Sequence, residues 1–194
     1  MMKLSAIVLV ALLGTAARAD SATHLHFGVV GQVSDTCAYD CGPGNAAGAL
    51  LRAMWDTSAR VRLGASLESL WYTRAGSVEQ DTRELEVAFV VQLKLSPGAA
   101  LDAGLGIGRY SGRVDIPETD GPYTCWGCGA YGGSSMSASL QLGATFNLPL
   151  TDRFSLEVSG RGIFRGGYGQ ADDVHNFTPP GTSFRADAGL AVTL

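Results

Sequence analysis

The chain has 194 residues, 46% of them hydrophobic and 16% charged, with a formal net charge of −4. That is the length of a single domain. It is too apolar for a disordered chain and lacks the basic excess that a nucleic-acid partner requires.

Residues 1–19 read as a secretory signal peptide. Lys3 supplies the positive start, Leu4 to Leu13 the apolar stretch, and Ala17-Arg18-Ala19 a small-x-small cleavage site. Cleavage after Ala19 removes Lys3 and Arg18 from the 14 basic residues. The remaining 12 against 18 acids give the predicted mature domain, residues 20–194, a charge of −6. No later segment is apolar for the ~18 residues a membrane-spanning helix needs.

Beyond the leader, apolar residues recur with period two along eight runs. Strict alternation of this kind predicts half-buried strands rather than helices. The first run places Leu25, Phe27, Val29 and Val33 on one face and His24, His26 and Gln32 on the other. Ala49, Leu51, Ala53 and Trp55 then oppose Arg52, Met54 and Asp56, and Leu63, Leu67 and Trp71 oppose Arg62, Glu68 and Tyr72. The fourth run is the cleanest, with Leu85, Val87, Phe89, Val91, Leu93 and Leu95 alternating with Glu84, Glu86, Gln92 and Lys94. Leu101, Leu105 and Ile107 next oppose Asp102 and three glycines, and Met136, Leu140, Leu142 and Phe146 oppose Ser137, Ser139 and Gln141. The seventh run sets Phe154, Leu156 and Val158 against Arg153, Glu157 and Arg161. The last sets Phe184, Leu190, Val192 and Leu194 against Arg185 and Asp187.

Short connections, 56–59, 96–99 and 147–152, interchange with long ones, 34–48, 73–82, 111–133 and 165–183. Pro97-Gly98 suits the centre of a type II turn. Regular interchange puts all the long loops at one end, which predicts an eight-stranded antiparallel up-and-down β-barrel.

Three features place the apolar face outside, against lipid. The polar face carries small residues and balanced charge: Arg52, Arg62, Lys94, Arg153, Arg161 and Arg185 against Glu68, Glu84, Glu86, Asp102, Glu157 and Asp187. A narrow bore needs small side chains and paired charges. Aromatics on the apolar face form two belts, Trp55, Phe146 and Phe154 beside the short turns and Trp71, Phe164 and Phe184 near the long loops, as expected at headgroup level. The chain also stops on its last strand, with Asp187, Gly189, Val192 and Leu194 in a polar, glycine, spaced-apolar pattern.

That C-terminal pattern, Asn147-Leu148-Pro149-Leu150-Thr151-Asp152-Arg153-Phe154 and Gly104-Leu105-Gly106-Ile107-Gly108 together resemble the small eight-stranded outer-membrane barrels of the OmpA/OmpX/opacity-protein type. Leu194 departs from the terminal aromatic usual in that group. The resemblance implies a Gram-negative outer membrane with extracellular loops, periplasmic turns and termini, contact with lipopolysaccharide, and assembly by the barrel-assembly machinery, for which Gly189, Val192 and Leu194 would be the signal. It does not imply one activity, because such barrels include adhesins, structural proteins, small channels and lipid A-modifying enzymes.

All four cysteines fall in long loops, Cys37 and Cys41 in the first and Cys125 and Cys128 in the third. An exported chain favours disulfides, either two local bridges or bridges between loops, and the spacing also fits a four-sulfur zinc site. Across the bore, Glu68, Glu84 and Glu86 lie at the height of Arg161 and Arg185, so opposed side chains are expected to close it with ion pairs. His24 and His26 point inward near the short turns, and Asp172, Asp173 and His175 share the last loop. No predicted strand carries a His-x-Ser pair on the lipid face, so no deacylase-type arrangement is present. The expectation is a non-enzymatic surface protein, structural or adhesive, acting through its loops on an extracellular ligand, without cofactor, metal or nucleic acid. A narrow gated channel for small solutes is the alternative, and a lipid A-modifying enzyme the third reading.

Overall fold

The computed structural model describes residues 22–34, 45–72, 79–116, 129–166 and 181–194. Eight strands fill them: β1 (Thr23–Ser34), β2 (Ala46–Asp56), β3 (Val61–Tyr72), β4 (Glu79–Ser96), β5 (Ala99–Ile116), β6 (Gly129–Pro149), β7 (Phe154–Gly166) and β8 (Thr182–Thr193). Each pairs antiparallel with its sequence neighbour, and β1 pairs with β8, so the sheet closes into a barrel with no free edge.

Alternation decides which side chains meet which medium. One outward row runs Phe27, Leu51, Leu67, Val87 and Ile107 across β1 to β5, each residue opposite the next. Leu105 is 67% exposed and Val29 70%, whereas Arg185 is wholly buried. This is a soluble protein's pattern inverted. A continuous apolar exterior of this size is stable only in a lipid solvent.

The turns are built by local chemistry. In the β2–β3 turn the Ser58 hydroxyl oxygen accepts from the backbone N–H groups of Arg60 (3.3 Å) and Val61 (3.1 Å). In the β6–β7 turn Thr151 does the same for Arg153 (3.3 Å) and Phe154 (3.1 Å). These side chains satisfy amide groups that the tight reversal takes away from the ladder. The β4–β5 turn corrects a sequence expectation. Gly98 does not adopt the positive φ of a type II turn, and the register instead shifts between Lys94 and Ser96. Such an irregularity reconciles a two-residue reversal with the right-handed strand twist.

Strand ends also differ from expectation. The β4–β5 ladder continues to Glu79↔Asp115 and the β5–β6 ladder to Ile116↔Gly129, whereas β6–β7 pairing begins only at Ala138↔Gly166. Residues 129–137 of β6 therefore carry about 30 Å of strand past its β7 partner at ~3.4 Å per residue. A three-stranded ribbon of β4, β5 and β6 stands proud of one side of the loop end. Residues 129–135 lack apolar alternation, but ladder pairing uses backbone groups and does not need it.

Candidate functional site

The inward faces build a polar column that runs from the turn end to a small apolar cluster inside the loop end. At its centre Arg185, from β8, reaches across the bore. Its Nη1 donates to Glu68 Oε2 (2.9 Å) and Glu86 Oε2 (2.6 Å), its Nη2 to Glu84 Oε1 (2.8 Å), and its Nε to Gln32 Oε1 (2.8 Å). Arg161, from β7, donates to Glu68 Oε1 (2.6 Å), Gln141 Oε1 (3.0 Å) and Asp187 Oδ2 (2.8 Å). Arg165, also from β7, donates to Glu84 Oε1 (2.8 Å) and Ser183 Oγ (2.9 Å). The side chains of all three arginines are at most 2% exposed, so these charge-assisted bonds form away from bulk water, where they are strongest.

Above this layer, Tyr72 Oη donates to Glu84 Oε2 (2.5 Å) and accepts from Gln32 Nε2 (3.0 Å). The Tyr72 ring stands edge-on to Tyr110 with centroids 5.2 Å apart. Val30, Ala46, Leu50 and Leu70 pack with these rings as a small apolar cluster inside the loop end of the bore. Below it, Arg52 donates to Glu157 Oε1 (3.3 Å) and lies 3.8 Å from Asp187, Ser159 bonds Asp187, and His26 Nδ1 is 3.1 Å from Glu157. Glu86 also accepts from Gln141 (2.8 Å) and from Ser139. Asp102 accepts from Gln92 (2.9 Å) and from Thr145. At the turn end, Asp56 gathers Lys94 (2.5 Å), Arg62 (2.9 Å) and His24 (3.1 Å).

Arg153 corrects the alternation. It is exposed in the β6–β7 turn, because strand parity begins only at Phe154 and carries no meaning before it. The position sequence reasoning missed is Arg165. The predicted loop began two residues too early, since β7 runs to Gly166, although Glu157, Ser159, Arg161 and Ile163 already pointed to an inward residue 165. Tyr72 and Tyr110 were missed as a pair, since nothing local marks two residues on strands that are not neighbours as partners.

On the outside, Trp55, Phe146 and Phe154 lie near the turn ends of their strands and Trp71, Phe164 and Phe184 near the loop ends. Phe27 and Phe89 face outward between the two levels.

The sequence matches the outer membrane protein beta-barrel domain family over residues 6–188. The chain belongs to that family. A comparison with curated protein sequences finds no match. Among solved structures, the barrel is similar to Ail, the attachment invasion locus protein of Yersinia pestis, at 13% identity and a TM-score of 0.60, covering 90% of this chain and 99% of that one. It is also similar to a major outer membrane protein from Thermus thermophilus (15% identity, TM-score 0.55, 89% and 99% covered). Neisserial surface protein A is a further likeness (12%, 0.51, 90% and 97%). At these identities the likeness shows the fold, an outer-membrane eight-stranded barrel.

Within that barrel, Gly189 has a structural reason of its own. It faces Gly28 across the β1–β8 closure, and a Cβ on it would strike the Phe27 carbonyl and lie 2.5 Å from His26 Nε2. The glycine pair leaves room for the His26 ring. Gly189→Ala is expected to lower barrel stability by about 1–3 kcal/mol through this overpacking, measured by urea unfolding in lipid vesicles. Gly31→Ala, where a Cβ meets nothing within 4 Å, is the matched control and should change little. Val192 and Leu194 face outward beside it, and the Leu194 N–H donates to Thr23 O (2.8 Å), tying the C-terminus to the first strand. Cys37, Cys41, Cys125 and Cys128, together with Asp172, Asp173, His175 and the leader, lie outside the described residues.

Proposed function

We propose that this protein is a non-enzymatic surface protein of the outer membrane, with the barrel as anchor and the loop end as the acting surface. The observation that carries this reading is the bore itself. Arg185, Arg161 and Arg165 span it to Glu68, Glu84 and Glu86, which occupies the space a permeant solute needs. The β4–β5–β6 ribbon adds a raised platform at the end where the long connections emerge, and binding groups concentrate on loops held by rigid scaffolds. In this reading the loops are extracellular, the turns and both termini periplasmic, residues 1–19 the cleaved leader, and the barrel-assembly machinery inserts the chain. Two fold neighbours, an attachment invasion locus protein and a surface protein by name, agree with a surface role.

Planar-bilayer recording tests the anchor reading. The intact barrel is expected to hold the bilayer's baseline, with no long-lived open level, and a large, always-open conductance overturns the proposal in favour of a channel. Trimming residues 117–128 should abolish binding to the surface partner while the barrel still forms, read by different gel mobility of boiled and unboiled protein.

A further inference from the structure

The bore does not balance its own charges. Among the described residues, the inward side chains carry six positive charges, on Arg52, Arg62, Lys94, Arg161, Arg165 and Arg185. Seven carboxylates stand against them: Glu68, Glu84, Glu86 and Glu157, with Asp56, Asp102 and Asp187. Most of these groups are cut off from water, where an uncompensated charge is expensive. One further positive charge brings the column to neutrality.

Few groups are placed to supply it. His24 lies on Asp56, a carboxylate that Arg62 and Lys94 already hold. His26 is buried, with Nδ1 3.1 Å from Glu157 Oε1 and 4.0 Å from Asp187 Oδ1. Asp187 Oδ1 is itself a buried acceptor with no hydrogen-bond partner among the described residues. The charged groups around His26 come from every neighbouring strand. Arg52 of β2 is divided between Glu157 (3.3 Å) and Asp187 (3.8 Å). Arg161 of β7 is divided between Asp187 (2.8 Å) and Glu68 of β3 (2.6 Å), and Arg185 of β8 also bonds Glu68. Facing glycines keep space for the ring, since a Cβ on Gly28 or Gly189 would stand 2.8 Å or 2.5 Å from Nε2. The other group a proton would neutralise is Asp102, but each of its oxygens already has a donor, from Gln92 and Thr145. An imidazole is also more basic than a carboxylate by about two pH units.

We propose that His26 is a proton-binding site of the folded barrel, an imidazolium whose Nδ1–H points between Glu157 and Asp187 and whose charge neutralises the bore. A cavity at the turn end has Glu157 in its wall beside Arg62, Gln92 and Lys94, which gives the proton its route. The folded barrel then keeps a proton that the unfolded chain releases above roughly pH 6.5, so this contribution to stability is present in mild acid and lost as pH rises. His26 on β1 meets Asp187 on β8 and Glu157 on β7, so losing the proton weakens the seam that closes the barrel. The inference does not depend on which end of the barrel faces out.

The experiment titrates the imidazole nitrogens of the folded, 15N-labelled mature barrel in detergent micelles by NMR. His26 is assigned by elimination, from His24→Gln and His175→Gln. At about pH 7.5, where an ordinary histidine is mostly neutral, both His26 nitrogens are expected to carry protons. A neutral ring at that pH overturns the proposal and leaves Asp102 as the group that holds the proton. Glu157→Gln balances the column without the proton, so it is expected to lower the His26 midpoint by about one pH unit or more. An unmoved midpoint overturns the charge-balance argument. Urea unfolding in vesicles at about pH 6 and pH 8 is the second readout. The wild type is expected to lose more stability over that interval than His26→Gln, and equal losses overturn the site. If His26→Gln does not fold, the wild-type and Glu157→Gln titrations still decide.

Discussion

Arg185→Met is expected to destabilise the barrel by about 3–5 kcal/mol, the cost of removing one partner from a buried ion network. Methionine fills much of the arginine's volume, so the loss is electrostatic rather than a cavity. Glu68 keeps Arg161 and Glu84 keeps Arg165, but Glu86 keeps only the longer 3.8 Å approach of Arg165 with its Ser139 and Gln141 hydrogen bonds. Three carboxylates then crowd a bore with one fewer cation. Adding Glu86→Gln to Arg185→Met should recover part of the loss, because it removes the charge left stranded. Equilibrium urea unfolding in vesicles, followed by tryptophan emission, measures all three proteins. Arg153→Met is the control. Strand alternation extrapolated backwards would put it in the same network, yet it is exposed at a turn, so a change within about 0.5 kcal/mol is expected. If Arg185→Met behaves like Arg153→Met, the network is not what holds the bore closed.

Leu105→Arg is the second large effect and examines the orientation of the whole barrel. Leu105 is 67% exposed on β5, between Phe89 of β4 and Leu140 of β6 and near the middle of the apolar band. In a bilayer a guanidinium there costs about 2–4 kcal/mol, so unfolding in vesicles should shift by that amount and insertion yield should fall. In a water-soluble barrel the same substitution would lie within about 0.5 kcal/mol of neutral. The penalty falls towards the membrane interface, so its size reports the depth of the substituted position.

Much of the fold was legible because its rules are local. Period-two alternation in 85–95 names a strand, its faces and its parity without reference to any other segment, and the interchange of short and long connections orders the strands. Legibility failed where the local signal was absent. Gly132-Gly133-Ser134-Ser135 has no apolar face to alternate, so the upper part of β6, and with it the ribbon above the rim, was invisible. Parity also misleads beyond a strand's end, which is why Arg153 was drawn into the bore, whereas Arg165 was left out because the predicted strand stopped short of it.

The candidate site divides along the same line. That Arg161, Arg185, Glu68, Glu84 and Glu86 share an interior follows from each residue's position in its own strand. Which guanidinium grips which carboxylate does not. Arg185 finds Glu86 across 99 positions of chain and Glu84 across 101, and Tyr72 lies against Tyr110, because closing β1 on β8 fixes how far each strand is staggered against the next. Amino-acid order by itself therefore determined the strands, their faces and the solvent each face prefers. Only the closed barrel decided the pairing across the bore, since stagger is a property of the whole ring of hydrogen bonds.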